Sequence, residues 1–374
     1  MRRLALLAAL AVIVLSCTPP AATGSASPSA GPTTDIKRTK LDITYASVTA
    51  TDVHKVSSKK VLQGAIDALK AEAKKTGGKD DFPAIDFQDV SDTIVPDFRK
   101  FADAAAQFAA RNPQITPDRF ADVAIEGMIT QSPDCHTYYV DKNRGVHRSR
   151  PEPTTGTGAQ MPAVGTSLGG PDQEAGLAGR ALPDGIVYIT WHEFASTGTY
   201  KIYDEVRKMM DKGLAAGGKA WLFDLRGNVG GFDADTLASG FLKGGESMLA
   251  ISYRDGAPAT THATPQWSLP AQYQLPIVIV LNDRGGSGPE VFAADLRETK
   301  RATIVGKKSV GCMGSTSIVN MTDGSLLAVV SQEFVGATTL TKYNNNGVPP
   351  DVEADDASAV NKAIELLKQK LIAR

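Results

Sequence analysis

The sequence predicts an α/β core preceded by a small helical domain. Two observations carry this. From residue 183 to 374, short apolar runs alternate with amphipathic stretches, the pattern of strands and helices laid in layers. From 41 to 145, apolar residues recur instead at helical spacing. In the first half, Ser57 to Lys75 places Val61, Leu62, Ile66, Leu69 and Ala73 on one helix face. Phe98 to Ala110 and Pro117 to Thr130 follow the same spacing. Residues 146–182 are rich in Gly, Pro and Thr and read as an irregular connection. In the second half, the strand candidates are 185–191, Ala220–Leu225, Met248–Tyr253, Pro276–Asn282, Ala302–Gly306 and Ser325–Ser331. The helix candidates are Tyr200–Lys212, Ala234–Leu242, Glu290–Thr299 and Ala357–Leu371.

The N-terminus reads as an export signal. Arg2 and Arg3 precede an apolar run from Leu4 to Leu15, too short to span a bilayer. The run ends in Val14-Leu-Ser-Cys17, which resembles a bacterial lipoprotein box, so residues 1–17 form a lipoprotein-type signal with Cys17 as the lipidated residue. Residues 18–40, rich in Pro, Ser, Thr, Ala and Gly, read as a disordered tether to the membrane. The formal net charge of −1 gives no reason to expect a nucleic-acid partner. The 42% apolar content suits a chain with a real core.

Chemistry concentrates in two glycine-rich turns. The first is Asp224-Leu-Arg-Gly-Asn-Val-Gly-Gly231, between a buried strand and a helix. Its glycines let backbone N–H groups approach a ligand, but it lacks the Gly-Lys-Ser/Thr ending of a phosphate loop. The second is Asn282-Asp-Arg-Gly-Gly-Ser287-Gly-Pro-Glu290, where a strand breaks and a helix begins. Ser287 and Glu290 have capping-box spacing. A serine there also sits among unpaired helix N–H groups, where a nucleophile can share space with its oxyanion site.

Taken together, these stretches resemble the S41 serine peptidases, both the C-terminal processing (tail-specific) proteases and the tricorn-core and retinoid-binding-protein-like branch. Four motifs match in order: Asp134-Cys-His-Thr-Tyr-Tyr139, the Asp224–Gly231 loop, Ser287-Gly-Pro-Glu-Val-Phe-Ala-Ala294, and Gly347-Val-Pro-Pro-Asp-Val352. The resemblance covers roughly residues 55–370 and implies a ClpP/crotonase-like catalytic core. It implies Ser287 as nucleophile, with the amides of Gly230, Gly231 and Gly288 as oxyanion donors. Two departures stand out. About fifty residues separate His136 from Gly185, too few for the PDZ module of the processing proteases. In addition, Cys312 stands where the Ser–Lys branch has its lysine, and Lys307 and Lys308 fall several residues early and read as turn charges. Glu298 falls where that branch has a supporting aspartate, or simply faces solvent.

Without that lysine, another base must take the serine proton. The tricorn-like branch implies His136. His192 is a second candidate, while His54, His147 and His262 lie in polar, loop-like surroundings and read as surface residues. With Cys17 assigned to lipid, Cys135 and Cys312 remain, and an exported chain can keep a disulfide. One adjoins His136 and the other occupies the lysine position. The reading is a Cys135–Cys312 bond; the alternative is two free buried thiols. For the residue that orients the histidine, the resemblance points to Tyr343-Asn-Asn-Asn346, with Asn345 and Asn344 as candidates.

These expectations add up to an exported serine endopeptidase acting on a peptide or protein substrate, without cofactor or metal. The alternative is a catalytically silent relative that binds an apolar ligand or serves as a surface interaction lipoprotein. The sequence does not specify the oligomeric state.

Overall fold

The computed structural model describes residues 38–89, 96–150, 158–263 and 268–373. The signal segment with Cys17, and the tether up to residue 37, lie outside the described residues.

The chain opens with four helices, α1 (Arg38–Thr51), α2 (Ser58–Lys75), α3 (Pro96–Arg111) and α4 (Pro117–Ile129). Strands β1 (Tyr138–Val140), β2 (Val146–Arg148), β3 (Thr166–Gly169), β4 (Ala178–Ala181), β5 (Ile186–Thr190), β6 (Ser196–Thr197) and β7 (Tyr200–Lys201) follow. Then come α5 (Ile202–Ala215), β8 (Ala220–Asp224), α6 (Ala234–Gly240), β9 (Ser247–Tyr253), β10 (Ala259–His262) and β11 (Ile277–Leu281). The chain closes with α7 (Gly288–Glu298), β12 (Ala302–Gly306), β13 (Gly314–Asn320), β14 (Leu326–Gly336), β15 (Val352–Glu353) and α8 (Ala359–Ile372).

The core sheet runs β15-β12-β11-β8-β5-β4-β3. Its strands from β5 to β15 pair in parallel, and β4 and β3 add antiparallel. The central parallel strands β5, β8 and β11 are buried on both faces, which explains their apolar runs. Val187, Ile189, Trp221, Phe223, Ile277 and Ile279 point to the side covered by α5, α6 and α7. Tyr188, Leu222, Val278 and Val280 point to the opposite side, under α8. This is the α/β class expected from the alternating pattern.

A second, antiparallel sheet runs β10-β9-β14-β1-β2, with β13 on the other edge of β14. Helices α1, α2, α3 and α4 share a core with it through Tyr139, Met321, Leu327 and Val329. It therefore joins residues just after the helices (β1) to residues late in the chain (β14). Among the described residues, the outer edge of β13 has no strand partner.

Several elements differ from the sequence expectation. Helix α1 begins inside the stretch read as tether. Its buried face is Leu41, Tyr45 and Val48, a helical spacing hidden among threonines and β-branched residues of modest helix propensity. The stretch 146–182, read as irregular, supplies β2, β3 and β4. These strands are short, and β3 and β4 are glycine-bearing, so they form by pairing and not by apolar alternation. Strand β13 was missed because Gly-Ser-Thr-Ser-Ile-Val-Asn is small and largely polar, as suits an edge.

Lys40 shows why α1 belongs to the fold. It is buried, with Nζ 2.7 Å from Asp122 and 3.1 Å from Asp323. Tyr139 donates to the same Asp122 oxygen at 2.7 Å. Burial alone would lower the lysine pKa, but the hydrogen bond to Asp122, with those to Tyr139 and Asp323, holds it above the ordinary range. Lys40→Met is expected to leave two half-buried carboxylates uncompensated and to cost about 3–5 kcal/mol, read by urea unfolding.

Candidate active site

Ser287 sits where β11 gives way to α7, with φ 70° and ψ −115°. A non-glycine residue holds that conformation only when its surroundings impose it. Glu290 does much of the imposing. Its carboxylate is buried and accepts from Ser287 N at 2.9 Å, Ser309 Oγ at 2.5 Å, Gly311 N at 2.6 Å and Cys312 N at 2.8 Å. The capping-box partner read from the sequence thus also pins the Ser287 turn to the turn bearing Cys312. Burial pushes its pKa up, against these four donors.

The glycine loop packs directly on Ser287. Asn228 organises it: its Nδ2 donates to Trp191 O at 2.9 Å, its Oδ1 accepts from Gly230 N at 2.9 Å, and its O accepts from Gly286 N at 3.2 Å. Asp224 and Arg226 lock the loop's base, with Arg226 Nε and Nη2 at 2.9 and 2.7 Å from the two carboxylate oxygens. Of the three expected oxyanion donors, Gly230 is therefore already engaged by Asn228. The amides of Gly231 and Gly288 have no protein partner among the described residues. Gly230 also has φ +100°, and a Cβ there would lie 2.7 Å from Ser287 Cβ. Gly230→Ala is expected to push the serine aside and lower kcat/KM at least about 100-fold, since displacements near 1 Å cost that much.

Across the cavity stands the segment 134–136. Cys135 and Cys312 form a disulfide with Cα atoms 5.9 Å apart, as the sequence reading held. It ties the His136 loop to the turn pinned by Glu290. His136 and Ser287 line one cavity of about 500 Å³. The exposed rim side chains Val229 and Phe232 belong to the same cavity.

The group beside His136 is Asp134, to which the sequence reading gave no role. It is fully buried, with Oδ1 3.5 Å from His136 Nδ1 and accepting the His136 backbone N–H at 2.7 Å. Its Oδ2 accepts from Asn344 Nδ2 at 2.5 Å and lies 3.3 Å from His54 Nε2. Burial would raise its pKa, but hydrogen bonds from His136, His54 and Asn344 outweigh that and hold it well below the usual carboxylate range. The signal was available: Asp134 is the first residue of the Asp-Cys-His motif.

Asn345 is turned away from His136. It has φ 62°, and its Oδ1 accepts from Arg150. Asn344, the buried neighbour, is the one that reaches Asp134. Glu298 ends α7, about 15 Å along the helix from its start, bonded to Tyr343 and Thr339. His192 and Lys308 are exposed, Lys307 lies near Asp283 and Asp356, and none of the three lines the cavity.

Of the histidines read as surface residues, His147 is partly exposed on β2, between Glu126 and Asp141 at 3.2 and 3.1 Å. His54 is mostly buried against Asp134. Burial alone would lower its pKa; the hydrogen bond to Asp134 and the charges of Asp52, Asp134 and Glu333 raise it instead. This stabilisation is complete below the unfolded histidine value of about 6.5 and fades as pH rises through the raised folded value. The urea-unfolding free energy is therefore expected to fall above pH 6.5, and His54→Gln to flatten that slope.

A strained serine at a strand–helix junction and a histidine line one cavity beside a glycine loop, with a buried aspartate behind the histidine, a set of groups that suits serine-hydrolase chemistry. The comparisons narrow this. Residues 185–354 match the family model of Peptidase family S41. It is 25% identical over 173 residues to the carboxy-terminal processing protease CtpA of Bacillus subtilis (strain 168), covering 46% of this chain and 35% of that protein. It is likewise 25% identical over 166 residues to the chloroplastic carboxyl-terminal-processing peptidase 1 of Arabidopsis thaliana, covering 44% and 32%. The chain thus spans about a third of the length of these curated relatives. A lipoprotein structure from Streptococcus agalactiae shares the fold at TM-score 0.50 and 13% identity, covering 83% of this chain and 97% of that one.

Proposed function

We propose that this protein is an exported serine endopeptidase of the S41 class, using Ser287 as nucleophile and His136 as base. The observation that carries the reading is the covalent tie between the His136 loop and the Cys312 turn, with His136 and Ser287 lining one cavity. The histidine's Nδ1 side faces Asp134, leaving Nε2 for the serine proton. Ser287 Oγ attacks the peptide carbonyl while His136 takes its proton, and Gly231 and Gly288 N–H groups receive the oxyanion. The amine leaves with the proton from His136, and water then hydrolyses the acyl-enzyme by the same route in reverse roles. Asp134 takes the orienting place expected of Asn345. Exposed Val229 and Phe232 at the rim favour substrates with apolar side chains near the scissile bond. The signal-type N-terminus supports export and attachment to the membrane through lipid on Cys17.

A fluorophosphonate probe tests the reading. Labelling of the wild type, lost in Ser287→Ala and strongly reduced in His136→Ala, supports it. A folded wild type that takes no label is instead a non-catalytic binding protein.

A further inference from the structure

The loop that carries His136 also gathers metal-ligand chemistry. The donor atoms of Asp134, Cys135 and His136 lie within 4.8 Å of one another, and Cys312 Sγ is bonded to Cys135 Sγ. With ordinary bond lengths, tetrahedral zinc needs an S···N edge of about 3.6 Å and an N···O edge of about 3.4 Å. Here Cys135 Sγ is 3.7 Å from His136 Nδ1, and His136 Nδ1 is 3.5 Å from Asp134 Oδ1. The sulfur–sulfur edge does not fit, because a covalent bond occupies it. Outer partners already hold these ligands: Asn344 and His54 on the second oxygen of Asp134, and Glu290 on the amide of Cys312.

We propose that reductive cleavage of the Cys135–Cys312 bond converts this corner into a zinc site built from Cys135, Cys312, His136 and Asp134. A dithiol or phosphine reductant supplies two electrons to the S–S bond. Two thiols form with two protons, and the reductant becomes a cyclic disulfide or, taking oxygen from water, a phosphine oxide. Both thiols then release their protons to solvent as the thiolates bind Zn²⁺. Two thiolates and an imidazole select zinc over magnesium or calcium. The metal takes the Nδ1 side of His136 and the Asp134 oxygen beside it, so the zinc form is peptidase-silent. This last consequence rests on the proposed function; the metal site does not.

The test uses the full chain, oxidised or reduced with a phosphine under anaerobic conditions, titrated with Co²⁺ and then competed with Zn²⁺. The reduced wild type is expected to keep its near-UV circular dichroism, bind one Co²⁺ with thiolate charge-transfer and tetrahedral d–d absorption, and release it to Zn²⁺. The oxidised protein and Cys135→Ser/Cys312→Ser, which retains Cys17, are expected to lack that absorption. His136→Ala is expected to weaken binding about tenfold or more. The proposal is overturned if the reduced wild type shows no more charge-transfer absorption than the double variant. Binding unchanged by His136→Ala, or loss of the native dichroism with metal present, overturns it equally. Fluorophosphonate labelling of the oxidised protein reports on the peptidase reading separately.

Discussion

Asp134→Asn is expected to lower kcat on a fluorogenic peptide by about 10⁴-fold with little change in KM, the scale seen when a triad carboxylate becomes an amide. In the proposed mechanism Asp134 is a positioning residue: it contacts His136 and acts on the reaction only through it. An amide that turns its NH₂ toward Nδ1 favours the wrong tautomer, leaving no lone pair on the nitrogen that must take the serine proton. The same change removes a fully buried carboxylate that holds His136, His54 and Asn344 together. It should also destabilise the fold by about 3–5 kcal/mol, the cost of breaking a buried charged pair. The two effects separate by experiment. Asn344→Ala, which weakens the network without altering the carboxylate, should lower stability more than kcat. A purely structural Asp134 would show equal loss in both variants once activity is corrected for folded fraction.

The second large effect is on the disulfide. Cys135→Ala/Cys312→Ala opens a loop with a sequence separation of 177 residues. The chain-entropy treatment puts that near 5 kcal/mol, and measured losses for native bridges run about 2–5 kcal/mol. Activity should fall further than stability explains, by about 100-fold, because the bond also fixes the His136 loop relative to Ser287. The check is kcat under conditions where circular dichroism shows the double variant still folded. Full activity in that state would mean that packing of the 134–136 segment suffices without the covalent tie.

Much of the core was legible because its signals are local. The apolar runs Ile277–Leu281 and Ala220–Asp224 are strands buried on both faces, and their glycine turns mark where the chain reverses into helices. Ser287 was legible as part of an ordered set of motifs, and the disulfide because cysteines are few and each adjoins a motif. The partners of His136 were not legible, because folding brings Asn344 and His54 to Asp134 across 210 and 80 residues of sequence. His54 lies among polar residues, and nothing in its neighbours announces a buried carboxylate. The engagement of Gly230 by Asn228 is a matter of hydrogen-bond geometry within a loop, which residue identity alone does not specify. Edge strands such as β3, β4 and β13 escaped because pairing, not composition, makes them strands.

Strand β13 begins two residues after Cys312, contributes Gly314, Ser315 and Thr316 to the wall of the cavity, and among the described residues is paired with a strand along one side only. At about 3.4 Å per residue, its seven residues offer roughly 24 Å of unspent main-chain donors and acceptors. Such a rail answers to the backbone of whatever lies along it and is nearly blind to spelling. On the proposed peptidase reading, what it would measure is slack: a loose tail could lie flat on it, and a segment already folded into its own protein could not. Discrimination at this cleft would then turn first on how unravelled a client is, and only afterwards on which residues it carries.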